Sequence, residues 1–146
     1  MDAYIQGARS NNPAGGGHIF AAAAIGGADV QFLIATDCLD FMSIHLAVAA
    51  GGNAVAAVKI FLSDSYMPNG SNEQDETLAI VPGNWVEITS ECVGIVAITG
   101  ASAQNQMVIP QRTGTAGRIK ATWLKVLVAH TSGAGTLDGW YHGSRL

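Results

Sequence analysis

The chain has 146 residues, enough for one domain with a real hydrophobic core. Apolar residues make up 49% and charged residues only 12%, about half the usual charged share. A net charge of −4 with no dense basic cluster argues against a nucleic-acid surface, and no apolar run is long enough to cross a bilayer.

So little charge implies that partner subunits cover part of the surface; a thinly charged, glycine-rich monomer is the alternative. The charge is also uneven. Six of the acids lie between Lys59 and Glu91, while Arg112, Arg118, Lys120, Lys125 and Arg145 follow Cys92. Opposite patches of this kind meet within one fold or between identical subunits. The first residues lack the basic start, apolar run and cleavage site of a secretory signal. Synthesis in a reducing compartment is therefore expected. Cys38 and Cys92 have no metal or redox spacing and are expected as two buried thiols rather than a disulfide.

Residues 1 to 28 read as an extended arm. Ser10-Asn11-Asn12-Pro13 and Gly15-Gly16-Gly17 favour neither helix nor strand, and the alanine run at 21–24 is stopped by Gly26-Gly27. The arm is expected to order by lying on its own domain or on a neighbour. Residues 29 to 146 read as one β-domain. Val30 to Ala35 is a compact apolar run. From Phe41 to Val48 the pattern alternates, with Met42, Ile44, Leu46 and Val48 on one face and Ser43, His45 and Ala47 on the other. Val55 to Leu62 alternates too, and the glycine turn between them predicts an antiparallel hairpin.

Ser63 to Glu76 reads as a long polar loop. Its acids Asp64, Glu73, Asp75 and Glu76 raise a calcium site, but their spacing lacks the order of the well-defined motif, so a solvated acidic loop is expected. Shorter strands are predicted at Leu78 to Val81, Trp85 to Ile88, Val93 to Ile98 and Met107 to Ile109, with Trp85 in the core. Ile119 to Ala129 is the strongest late strand, and Thr136 to His142 returns after a glycine turn. Many short runs between glycine-rich turns predict an all-β, antiparallel β-sandwich, jelly-roll-like, with the arm in front.

No nucleophile elbow, phosphate loop or dinucleotide fingerprint is present, so no catalytic residue, cofactor or metal is assigned. Of the four histidines His18, His45, His130 and His142, the last two flank the final turn. A hairpin there sets His142 opposite Lys125, a poor place for a metal ligand. The same register puts Trp140 opposite Leu127. Trp123, Lys125, Leu127, Trp140 and His142 then form one mixed patch on one sheet face. A lysine is costly inside a core, so this patch is expected to face outward and to be covered by a partner.

Met42-Ser43-Ile44-His45-Leu46-Ala47-Val48, Val55 to Leu62, Ser63-Asp64 and Asn84-Trp85-Val86-Glu87-Ile88 together resemble a sandwich pattern of tailed-phage virion proteins. Trp123-Leu124-Lys125-Val126 and Gly135-Thr136-Leu137-Asp138-Gly139-Trp140-Tyr141 are similar to the paired final strands of such proteins. The likeness spans roughly residues 40 to 142, with a longer loop between Ser63 and Asn84. It implies a structural virion protein of a bacteriophage, made in the host cytoplasm: a capsid decoration or cement protein, homo-oligomeric and bound to the major capsid or another virion protein. A tail or fibre adaptor has the same features. A carbohydrate-binding β-sandwich module, with aromatics that stack on sugars, is the alternative from another class.

Overall fold

The computed structural model describes residues 14–37, 39–100 and 103–145. Eight strands follow in chain order: β1 (Ala14–Ile25), β2 (Val30–Ala35), β3 (Phe41–Val48), β4 (Val55–Ser63), β5 (Val86–Glu87), β6 (Gln104–Val108), β7 (Trp123–Ser132) and β8 (Gly135–Ser144). Two short 3-10 turns, Glu76–Leu78 and Thr89–Glu91, complete the elements. All strand pairing is antiparallel. Sheet I has the order β1-β8-β3-β6 and sheet II the order β2-β7-β4-β5. Consecutive strands lie in opposite sheets except β4 and β5, which are paired neighbours in sheet II. The expected all-β sandwich is therefore present, with the strand order of a jelly roll.

The alternation in the sequence sets the core. Met42, Ile44, Leu46 and Val48 of β3 are buried, as are Val58, Ile60 and Leu62 of β4. Leu124, Val126 and Val128 of β7 and Leu137 and Tyr141 of β8 close the interior. Each such aliphatic side chain contributes about 1.5–3 kcal/mol when taken out of water.

The glycine turns do not make hairpins. β3 and β4 belong to different sheets: β3 pairs with β6 and β8, and β4 with β5 and β7. β7 and β8 are likewise separated, and the two residues between them carry the chain from one sheet to the other. Asn53 holds that corner. Its Oδ1 accepts from Ala134 N at 2.9 Å, and its own N–H donates to Ala134 O at 2.9 Å. Gly133 has φ +70°, and a Cβ there would lie 2.0 Å from Asn53 O. Only glycine fits this crossing.

The segment expected as an arm, residues 1 to 28, contains β1. Its first 13 residues lie outside the described ones. From Ala14 onward it is the edge strand of sheet I, hydrogen-bonded to β8 from Ala14↔Ser144 to Ile25↔Gly135. Register shifts between His18 and Phe20 and between Phe20 and Ala23 break the two-residue period. Ile19 and Phe20 are both buried as a result, which a regular strand does not allow for neighbours. That irregularity hides the strand from a periodicity reading.

The loop from Ser63 to Glu76 is not a free acidic loop. It folds over the outer face of sheet II. Tyr66 is buried, and its hydroxyl donates to Glu73 O at 2.7 Å. Its ring meets Trp85 at 5.4 Å and Trp123 edge-on at 5.1 Å. Gln74 clasps the edge strand β2: its Oε1 accepts from Leu33 N and its Nε2 donates to Leu33 O, both at 2.7 Å. A side-chain amide thus occupies a place where another strand would pair. Glu76 lies 3.4 Å from Lys125 Nζ, Asp75 caps the N–H of Thr77, and Asp64 accepts from Thr122 N. The acids are used as local acceptors, and among the described residues no three His, Cys, Asp or Glu side chains could hold a metal ion.

The predicted strands at Leu78 to Val81 and Val93 to Ile98 shrink to isolated bridges, Met67↔Val81 and Val93↔Ile109, and that at Trp85 to Ile88 to the two residues of β5. Cys92 is a free thiol whose pKa burial raises; Cys38 lies outside the described residues. No helix among the described residues is long and apolar enough to cross a membrane.

Candidate functional site

The five residues expected on one face are divided between the two sheets. The corner at Gly133 is the reason: it sends β8 away from β7 instead of turning it back alongside. Trp123, Lys125 and Leu127 point to the outer side of sheet II, opposite the buried Leu124, Val126 and Val128. That side is covered by the chain's own loop rather than open to a partner at Trp123, which is only 5% exposed. Lys125 sits beneath the same cover, with Nζ 4.6 Å from the Trp85 ring and 5.0 Å from the Phe61 ring. Its charge is met by Glu76 and by two π faces, so it needs no second subunit. Trp85, expected inside the sandwich, packs on this outer side.

Trp140 and His142 lie on the outer face of sheet I, and there the surface is open. Trp140 is 40% exposed. The register brings other residues to it. His18 of β1 pairs with Trp140 of β8, Trp140 with His45 of β3, and His45 with Met107 of β6. Four side chains from four strands therefore form one row across the sheet. His18 stacks on the indole with centroids 5.1 Å apart and planes 6° from parallel. His45 meets it on the other side at 5.4 Å and 38°. The spacing follows from the 4.7–4.9 Å separation of paired strands. Such offset ring pairs contribute about 0.5–1.5 kcal/mol each, less where they are exposed.

Polar groups flank the row. On one side His142 pairs with Ser43; on the other, Asp138 pairs with Ala47 and Ala47 with Asn105. His45 Nε2 lies 3.0 Å from Asn105 Oδ1, so that nitrogen carries the proton it donates. Asp138 Oδ1 accepts from Ala22 N at 2.9 Å and is 3.7 Å from His18 Nε2. Ala22 has φ +49°, and it sits in the irregular part of β1. The irregularity buries both Ile19 and Phe20, while His18, paired with Trp140 ahead of the first shift, faces outward beside it. Next to His142, Phe41, Met42, Ser43 and Ser144 complete an open depression of about 190 Å³.

Of the five expected residues, Trp140 and His142 belong to this face. His18, His45, Asn105, Met107 and Asp138 were not expected there. The outward position of His45 is legible in the alternation of β3, but its nearness to Trp140 is a matter of strand order. His18 lay in a segment with no readable period.

The face offers π surface, a thioether and several hydrogen-bonding groups on paired strands. Trp140 keeps 40% of its surface exposed between the two imidazoles. Below it, Tyr141 points inward, and burial raises its hydroxyl pKa.

No family model and no curated sequence matches the chain. Several solved structures are similar to the chain at low TM-score. The CBM36-1 domain of a multidomain xylanase from the hindgut metagenome of Trinervitermes trinervoides has a TM-score of 0.41 and 10% identity, over 84% of this chain and 77% of that one. A carbohydrate-binding module from the glycoside hydrolase family 9 protein Cel9A of Ruminococcus flavefaciens FD-1 has a TM-score of 0.42 and 9% identity, over 90% and 98%. The structure of infectious bursal disease virus, Gx strain, has a TM-score of 0.42 and 15% identity, over 93% of this chain and 34% of that one. At these scores no family is identified, and the β-sandwich rests on the strand order alone.

Proposed function

We propose that this chain is a non-catalytic carbohydrate-binding module and that the outer face of sheet I is its binding surface. The observation that carries the reading is the row His18–Trp140–His45–Met107, flanked by His142, Ser43, Asp138 and Asn105. A sugar ring has an apolar face of polarised C–H groups and a rim of hydroxyls. The first suits the negative face of an indole, and the second suits imidazole, hydroxyl, carboxylate and amide groups at its margin. The surface is rigid, since each contributing residue sits on a paired strand, so little ordering cost is added on binding.

The test is a screen of soluble oligosaccharides by calorimetry, with native mass measured on the same sample. Binding by the monomer, weakened about tenfold or more in Trp140→Ala, is the expected result. A folded monomer that binds no glycan overturns the reading.

A virion decoration protein is the second reading, and one observation favours it. Ile80 is 68% exposed, and Leu78, Val81, Val86, Val93, Val96 and Met107 are exposed as well. An assembling protein has a use for that much open aliphatic surface. In that case the native mass is a multiple of the chain, and the exposed valines rather than Trp140 hold the assembly together.

A further inference from the structure

Sheet I is almost without fixed charge. β1, β3, β6 and β8 contain no lysine, arginine or glutamate, and Asp138 is their one acid. Three imidazoles occur on the same outer face: His18 on β1, His45 on β3 and His142 on β8. His18 and His142 are exposed and His45 is half-buried. β6 and the segment 93–99 beside it bring no charged group. Asp40 and Arg145 lie beyond the ends of β3 and β8, one on each side of neutrality. Asp138 already accepts the Ala22 N–H and faces His18. The imidazoles are therefore the groups through which this face gains charge.

We infer that the ligand of this face is an anionic oligosaccharide, held by the histidines around Trp140 and bound more tightly as they protonate. This rests on the carbohydrate reading and adds the ligand's charge class. Histidine changes charge between about pH 5 and 8. Sugar carboxylates and sulfates stay ionised throughout that range. In the neutral form, His45 Nε2 donates to Asn105 and the second ring nitrogen is an acceptor, which does not welcome an anion. A protonated ring donates from both nitrogens. With the three imidazoles protonated, the face holds three positive side chains against the one acid Asp138, while Trp140 still supplies the apolar contact. Carboxylated and sulfated sugars share this chemistry.

The experiment measures binding of oligogalacturonate, of the same oligosaccharide with its carboxyls reduced to alcohols, and of a sulfated oligosaccharide, at about pH 5.5 and about pH 7.5. An anionic ligand is expected to bind about tenfold tighter at the lower pH, as for a partly exposed charge-assisted contact. The reduced oligosaccharide should show no such gain. Raising the salt should shrink the difference. In a His18→Gln, His45→Gln, His142→Gln triple variant, checked by circular dichroism to be folded at both pH values, the anionic ligand should bind equally at both. Which anion shows the gain, carboxylated or sulfated, identifies the source. Equal affinity of the wild type at both pH values, or the same gain with the reduced oligosaccharide, overturns the inference while leaving the carbohydrate reading intact. Absence of binding by every sugar, neutral or charged, removes both.

Discussion

Replacing Trp123 and Trp140 by alanine, one at a time, should give opposite outcomes. Trp123 is 5% exposed and makes an edge-on contact with Tyr66 at 5.1 Å beneath the loop that covers sheet II. Truncating a buried tryptophan costs about 3–5 kcal/mol, from lost transfer energy and the cavity left behind. The loop over Trp123 gains part of its anchorage from that ring, so the upper half of the range is expected. Trp140 is 40% exposed and loses only the two imidazole contacts at 5.1 and 5.4 Å. Discounted for exposure, the cost is about 1 kcal/mol. Urea unfolding followed by far-ultraviolet circular dichroism measures both without depending on the fluorophore removed. If Trp140→Ala loses about 3 kcal/mol or more, or Trp123→Ala loses less than about 1 kcal/mol, the assignment of outer and covered faces is wrong.

Gln74→Ala removes both contacts to the Leu33 backbone and should cost about 1–3 kcal/mol, with faster hydrogen exchange at Leu33 as the local readout. Gly133→Ala combines a left-handed backbone with a Cβ 2.0 Å from Asn53 O; it should lower the melting temperature well beyond Gly114→Ala, where φ is +80° and nothing lies within 4 Å. Tyr66 has its pKa raised from 10.0 to about 12, first by burial and then by Glu76, Glu73 and Asp75. A pKa raised in the folded state means that stability is full below pH 10 and falls as pH rises toward about 12, and Tyr66→Phe should flatten that fall in unfolding experiments across the same range.

Fold class and most of the core were legible in the sequence because the two-residue period is local. Met42, Ile44, Leu46 and Val48 alternate with Ser43, His45 and Ala47, and that alone says which side of β3 is buried. The same holds for Val58, Ile60 and Leu62 in β4. β1 was not legible, since its register shifts put the neighbours Ile19 and Phe20 on the same side. Lys125 is an instructive failure of a sound rule. A lysine does belong outside, and it is outside sheet II, but Tyr66, Trp85 and Glu76 arrive over it from a distant loop.

The binding face depends on a different kind of information. Periodicity tells which way a side chain points from its own strand; it does not tell which strand lies next. Ser132 and Gly135 look like the ends of a hairpin, and a hairpin would have joined His142 to Lys125 and Trp140 to Leu127. Gly133 and Asn53 instead pass the chain across the sandwich, and β8 inserts between β1 and β3. His18, Trp140 and His45 meet only through that insertion, from positions more than a hundred residues apart at the extremes. The sequence by itself determined the strands, their buried sides and the scarcity of charge. Tertiary structure decided which outward side chains became neighbours, because strand order is settled by the packing of two whole sheets and not by any local pattern.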